Sequence, residues 1–268
     1  MEKLIEILKE FEINRKSQKE SGEWNHKTVA KCFKPCAKKI LCGGYFLLNG
    51  KYIIDLGAIE LYYHEEEGDI KDYIMYHTNE RPSKSRMYEL NGNKHPYFKF
   101  GSLNLHQSGL DVTFENSDNP NDKYRASFLI RSYRLLVTQD GNYPMNDNTE
   151  YDPYSTHIFD DIFYEGISLG NIKIEWKEKN KEGEIEDSTR RNVAMYYRKN
   201  NKLEKLTKDV LDNNNMCLIY DKGLAVDGDC GENNYNMAQI ETFKSSGRTF
   251  IQDPREWQFR LKNIKEKK

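Results

Sequence analysis

The chain has no run approaching the about twenty consecutive apolar residues of a membrane-spanning helix. Its opening, Met1 to Phe11, is an amphipathic pattern and not a signal peptide. A cytoplasmic protein without a membrane partner is expected. Cysteine is scarce: Cys32, Cys36, Cys42, Cys217 and Cys230 are odd in number and form no paired Cys-x-x-Cys knuckles, so free thiols fit best. Charge of one sign is lacking as well. The net charge is −2 and the sequence pI about 6.3, which gives no whole-chain support for a polyanion partner. There is neither an internal repeat nor a linker that would divide the 268 residues, which are enough for one large domain with a sizeable core.

Aromatic residues are plentiful, with eighteen Tyr and twelve Phe to supply bulk for strands and core. Charge is unevenly spread. Residues 63 to 72 are acidic through Glu65, Glu66, Glu67, Asp69 and Asp72, and 81 to 99 are basic through Arg81, Lys84, Arg86, Lys94 and Lys99. Such runs form solvated faces or a local cationic groove. Along the chain, Leu4, Ile5, Leu8 and Phe11 predict an accessory helix to Ile13, with loop or frayed helix to Asn25. A second helix spans Thr28 to Leu41, interrupted near Pro35 and ended by Gly43-Gly44. A strand from Tyr45 to Leu48 meets Asn49-Gly50, a strong hairpin turn. Further strands are expected around Phe98 to Leu105, Gly109 to Phe114, Ala126 to Val137, Leu169 to Trp176, Val193 to Tyr197, Cys217 to Tyr220 and Trp257 to Leu261. Helices are expected at Thr156 to Phe163 and Leu203 to Leu211, and loops at 140–153 and 221–231. The pattern predicts a single α+β domain on an antiparallel sheet, divided as residues 1–27 (accessory helix and loop), 28–262 (the domain) and 263–268 (a solvated basic tail).

One strand sets a carboxylate among apolar and aromatic residues. Alternation puts Tyr52, Ile54, Leu56, Ala58, Glu60 and Tyr62 on one face, with Ile53, Asp55, Gly57, Ile59 and Leu61 on the other. Either Glu60 is a strand-end residue facing water, or it is buried and needs a cation or hydrogen-bond donors. Arg131 presents the same puzzle in a half-buried strand, where Phe128, Ile130 and Ser132 share one face and Ser127, Leu129, Arg131 and Tyr133 the other.

Read together, these pieces resemble the alkyladenine (3-methyladenine) DNA glycosylase family. Ala37-Lys38-Lys39-Ile40-Leu41 is similar to the family's Ala-Arg-x-Leu-Leu helix, and Glu60-Leu61-Tyr62 to its Glu-x-Tyr strand. His77-Thr78 is similar to Ala-His-Ser, Gly101-Ser102-Leu103 to Gly-Thr-Leu, and Phe128-Leu129-Ile130-Arg131 to Val-Leu-Leu-Arg, while Asn116 falls where the family has an Asn. Weaker echoes follow in Arg191-Asn192-Val193 and Trp257-Gln258-Phe259. The ordered set covers roughly the first half of the chain.

The resemblance implies a curved antiparallel sheet with flanking helices, like the formyltransferase C-terminal domain. It also implies a monomer without metal or organic cofactor, acting on a damaged purine flipped from DNA. Glu60 would activate a water, and Arg131 would orient that water and keep Glu60 ionised. Tyr62, His77, His106 and Asn116 would frame the base, and Arg81, Lys84, Arg86 and Lys99 would meet the DNA backbone. The sequence departs from the pattern where His106 replaces a Tyr and where Gly109 falls near the aromatic wedge that fills the gap left by the flipped base. Two other readings stay open: a non-catalytic nucleic-acid-binding protein of the same fold, and a metal-dependent nuclease or hydrolase using His64, Glu66, His77 and His106.

Overall fold

The computed structural model describes residues 1–68, 70, 72, 75, 85–119, 121–144, 148–179, 182–188 and 256–267, with the backbone of the strands between 193 and 252. Two helices lead the chain, α1 (Glu2–Glu20) and α2 (His26–Gly43). They are followed by β1 (Gly44–Leu48), β2 (Tyr52–Glu65), the short α3 (Arg86–Leu90), β3 (Leu103–His106), β4 (Gly109–Thr113) and β5 (Tyr124–Val137). Then come α4 (His157–Leu169), β6 (Ile174–Glu178) and β7 (Ile185–Ser188). Seven short strands form three small antiparallel sheets among the described residues: β8 (Val193–Ala194), β9 (Tyr196–Lys199), β10 (Lys202–Lys205), β11 (Met216–Ile219), β12 (Leu224–Asp227), β13 (Gln239–Phe243) and β14 (Arg248–Gln252). The last strand, β15 (Gln258–Leu261), returns to the main sheet.

Among the described residues the main sheet has eight strands. Its order is β3-β4-β5-β2-β1-β6, with β15 pairing both β2 and β7. Every ladder in it is antiparallel, and the class is α+β. The long β2 organises it. One edge of β2 pairs with β5 over its whole length; the other pairs with β1 at residues 52–54 and with β15 at 58–60. The β1–β2 hairpin turns as its sequence predicts, on Asn49 and Gly50 with φ of 51° and 71°.

The helices depart from the sequence reading because burial outweighs local signals. α1 runs on to Glu20 and belongs to the core: Leu4, Leu8 and Phe11 are fully buried, each stabilising by about 1.5–3 kcal/mol. Arg15, buried on the same face, explains the extension. It donates from Nε to Tyr63 (2.5 Å), grips both carboxylate oxygens of Asp122, and lies 4.2 Å over the Tyr124 ring. α2 continues through Pro35 because Val29, Cys32, Phe33, Cys36, Ala37 and Ile40 all pack inward. Gly44 does not cap that helix in a left-handed turn; it is extended beneath Trp176, whose ring leaves no room for a Cβ. α4 extends to Leu169, where Gly170 ends it in the left-handed region (φ 68°), so the strand expected from Leu169 begins only at Ile174.

Further along, Lys202–Lys205 is a strand where a helix was expected from Leu203, Leu224–Asp227 is a strand within the expected loop, and residues 206–211 lie outside the described residues. The acidic run of residues 63–72 is not simply a solvated face: Glu67 is exposed and Asp69 lies outside the described residues, but Glu65, Glu66 and Asp72 are held by the fold. Glu65 accepts from Tyr63, Trp24 and Lys19, Glu66 pairs with Arg125, and Asp72 accepts the Tyr63 backbone N–H. Nor is the C-terminus a free tail, because Tyr151 pairs with residues 265–267. Cys32 and Cys36 are free buried thiols and Cys42 is buried as well, and burial together with Glu10 pushes Cys36 up to about 12. No helix among the described residues is long and apolar enough to cross a membrane.

Candidate functional site

The two long strands each carry one extra residue near their centres. Leu56 lies opposite Tyr133, Ala58 opposite Ser132 and Ile59 opposite Ile130, so Gly57 bulges from β2 and Arg131 from β5. A bulge reverses which side chains face the core. Ile54 and Leu56 point into the helix-covered core, and beyond the bulge Ile59, Leu61 and Tyr63 do so. The predicted common face of Tyr52 to Tyr62 is therefore wrong. Glu60 and Tyr62 lie on the face opposite Ile54 and Leu56, the same face as Asp55. On β5, Phe128, Ile130 and Tyr133 join the core, whereas Ser132 does not. Gly57 is required because a Cβ there would stand 2.6 Å from the Tyr151 ring and 2.9 Å from Ser132 Oγ.

This face brings Glu60 and Arg131 together. Arg131 Nη2 donates to Glu60 Oε1 (2.5 Å), and Tyr62 donates its hydroxyl hydrogen to the same oxygen (2.5 Å). The Tyr62 oxygen in turn accepts from Arg131 Nη2 at 2.8 Å, which closes a three-membered ring of charge-assisted bonds. Glu60 is 1% exposed and the Arg131 side chain 12%. Burial alone would lower the Arg131 guanidinium, but Glu60, Tyr62 and, more weakly, Asp111 raise it, so Arg131 keeps its charge in the buried site. From β5, Arg131 Nη1 reaches Ser155 Oγ at 3.3 Å, in the segment that leads into α4.

Cross-strand register extends the site sideways. Asp111, Leu129, Glu60 and Gln258 form one row across β4, β5, β2 and β15, with their side chains on one face. Leu129 is thus the apolar floor between two carboxylates. His106 joins through Asp111. Its Nε2 lies 3.0 Å from Asp111 Oδ2 and its Nδ1 accepts the Ser108 backbone N–H at 3.2 Å, an arrangement that places the proton of the neutral ring on Nε2.

The remaining predicted residues divide. Asn116 is not brought to the site: it bridges to Tyr124, which lies opposite Glu65, roughly 16 Å along the strand from Glu60 at about 3.3 Å per residue. Its side chain instead accepts the Asp118 N–H, forming a local turn. Arg86 is exposed and paired with Glu89 (2.6 Å), and Lys99 is an exposed residue whose carbonyl anchors Ser102 and Thr113. His77, Arg81 and Lys84 lie outside the described residues, as do Arg191 and Asn192. Gln258 of the Trp257-Gln258-Phe259 echo stands directly opposite Glu60. Among the described residues no three His, Cys, Asp or Glu side chains are arranged to hold a metal ion, and His64 Nδ1 accepts the Asp72 backbone N–H.

Sequence reasoning missed a second charged centre on the same face. Asp55, fully buried, receives Lys179 on Oδ1, and Arg134 (2.8 Å), Tyr143 (2.7 Å) and Tyr151 (2.8 Å) on Oδ2. Burial would raise its carboxyl, but Lys179 and the two tyrosine hydroxyls hold it below the usual carboxylate range. The available signal was Gly57, since an isolated glycine within a strand pattern marks a bulge and hence a change of face. Residues 151–155 form a strap over both centres, touching Asp55 through Tyr151 and Arg131 through Ser155. Comparison of the chain with known protein families, with curated proteins and with solved structures gives no match.

Proposed function

We propose that the chain hydrolyses the N-glycosidic bond of an alkylated or deaminated purine flipped out of DNA, as a monomeric cytoplasmic repair glycosylase on a formyltransferase C-terminal-domain-like scaffold. The observation that carries this reading is the convergence of Arg131 and Tyr62 on one oxygen of Glu60, across 71 residues of sequence between the two charges. A buried carboxylate held ionised beside an arginine can take the proton of a water as that water's oxygen attacks C1′. The electrons of the C1′–N bond then leave with the purine. Arg131 keeps the base charged and orients it, Tyr62 and His106 offer flat rings to the base, and no metal or organic cofactor takes part.

A second reading, a non-catalytic nucleic-acid-binding protein of the same fold, draws support from the depth of Glu60, which is 1% exposed with Oε1 already accepting two donors. Release of free base from oligonucleotides carrying hypoxanthine, 3-methyladenine or ethenoadenine separates the two. The hydrolytic reading expects release by the parent chain and none by Glu60→Gln. DNA binding without release of any base supports the second.

A further inference from the structure

Helix α4 has two apolar faces. Ile158 and Ile162 seat it on the core, yet the side turned to solvent is apolar as well. Phe163, Tyr164 and Ile167 are 50%, 71% and 63% exposed, and Leu169 and Ile172 are exposed beyond them. The surface is continuous. The Phe159 and Phe163 rings stack at 6.0 Å, Tyr164 stands 6.2 Å from Phe163, and Ile172 folds back over Gly166, where a Cβ would lie 2.7 Å from its Cδ1. Together these side chains present roughly 500 Å² of apolar surface, a size at which a contiguous exposed patch marks an interaction site.

Charge decides what covers it. From Leu135 to Ile172 the sequence carries seven carboxylates and no Lys or Arg, although the chain has 41 of those two residues. Around α4, Asp152 is met by His157 (2.9 Å) and Lys267 (3.8 Å), Asp161 accepts from Tyr133 (2.5 Å), and Glu165 accepts from Asn49 (3.4 Å) with Lys51 at longer range. Asp160 is exposed, and among the described residues it meets no cation. At about 100° of turn per residue it stands between Ile167 and Tyr164, inside the apolar face. A second copy would set two such faces together, each with its carboxylates and neither with a Lys or Arg from its own helix. An anionic lipid surface or a phosphate backbone would be repelled in the same way. We propose that the outward face of α4 docks an amphipathic helix of another protein, whose apolar stripe covers Phe163, Tyr164 and Ile167 and whose Lys or Arg meets Asp160. This inference goes beyond the function proposed above and does not rest on it.

The test uses the full chain and two synthetic amphipathic helices with the same leucine stripe, one flanked by lysine and the other by glutamate, each labelled and read by fluorescence anisotropy. The lysine peptide should bind at least about 10-fold more tightly than the glutamate peptide. Tyr164→Ser and Ile167→Ser should each weaken it by about 10-fold or more. Asp160→Lys should weaken the lysine peptide and strengthen the glutamate peptide, which a merely sticky surface would not do. All three positions face solvent, and circular dichroism checks that each variant is folded. Failure of the lysine peptide to bind, equal affinity for the two peptides, or affinities unchanged by the substitutions overturns the proposal. So does a dimer in sedimentation, or partition of the chain into phosphatidylcholine vesicles, that Ile167→Ser abolishes.

Discussion

Asp55 and Glu60 stand five residues apart in β2, face the same way and each meet an arginine of β5, yet they are built differently. Asp55 uses both oxygens, and its donors arrive from four places: β5, the Tyr143 loop, the strap at Tyr151, and Lys179 just beyond β6. The described donors to Glu60 come from β2 itself and from the neighbouring β5, and they converge on one oxygen. The first arrangement ties distant segments together. The second orients one carboxylate between two neighbouring strands. Stability should therefore depend most on Asp55, and chemistry on Glu60.

The sharpest way to break that contrast is Asp55→Ala. It strands Arg134 and Lys179 without their carboxylate in a buried setting, for which a loss of about 3–5 kcal/mol is expected, read as a shift in the urea midpoint. The same centre carries a pH signature. Because the Asp55 carboxyl is lowered in the folded state, its contribution is present above the ordinary carboxylate range and is lost as pH falls through the lowered value. The variant should lack that part of the acid-side slope.

Arg131→Ala comes next. It leaves Glu60 buried but still bonded to Tyr62, so a smaller loss of about 2–3 kcal/mol is expected together with complete loss of base release. An unchanged melting temperature would count against the buried pair. Gly57→Ala is the mildest of the three, at about 1–3 kcal/mol, since the new methyl meets the Tyr151 ring and the bulge must shift. Its use is to join the two centres: displacement of the strap should weaken both. A substitution felt only at Asp55, in a structure or by amide exchange, would show that the bulge does not couple them.

These centres also mark how far the sequence could be read. The Glu60–Arg131 pairing was legible only through the resemblance, because a carboxylate in an apolar strand can also face water at the strand end and the pattern alone names no partner. The face on which they meet was not, because simple alternation carries no account of Gly57 and Arg131 as extra residues. Asp55 could not be found by pattern, since Tyr143 and Tyr151 reach it from a segment that reads as loop and Lys179 from beyond any expected element. The same holds on the core side, where Lys19 and Arg15 turn a polar helix end and an acidic run into a buried network with Glu65 and Asp122. The hairpin at Asn49-Gly50 was read correctly because both turn residues needed positive φ, a purely local demand.

The most direct measurement is single-turnover release of free base from lesion-bearing oligonucleotides by the parent chain and by Glu60→Gln, with folding of both checked by circular dichroism. Loss of a general base predicts a rate reduced by at least about 10²-fold in a variant that remains folded. Equal release by the two proteins would contradict the assignment of Glu60 as the reacting group.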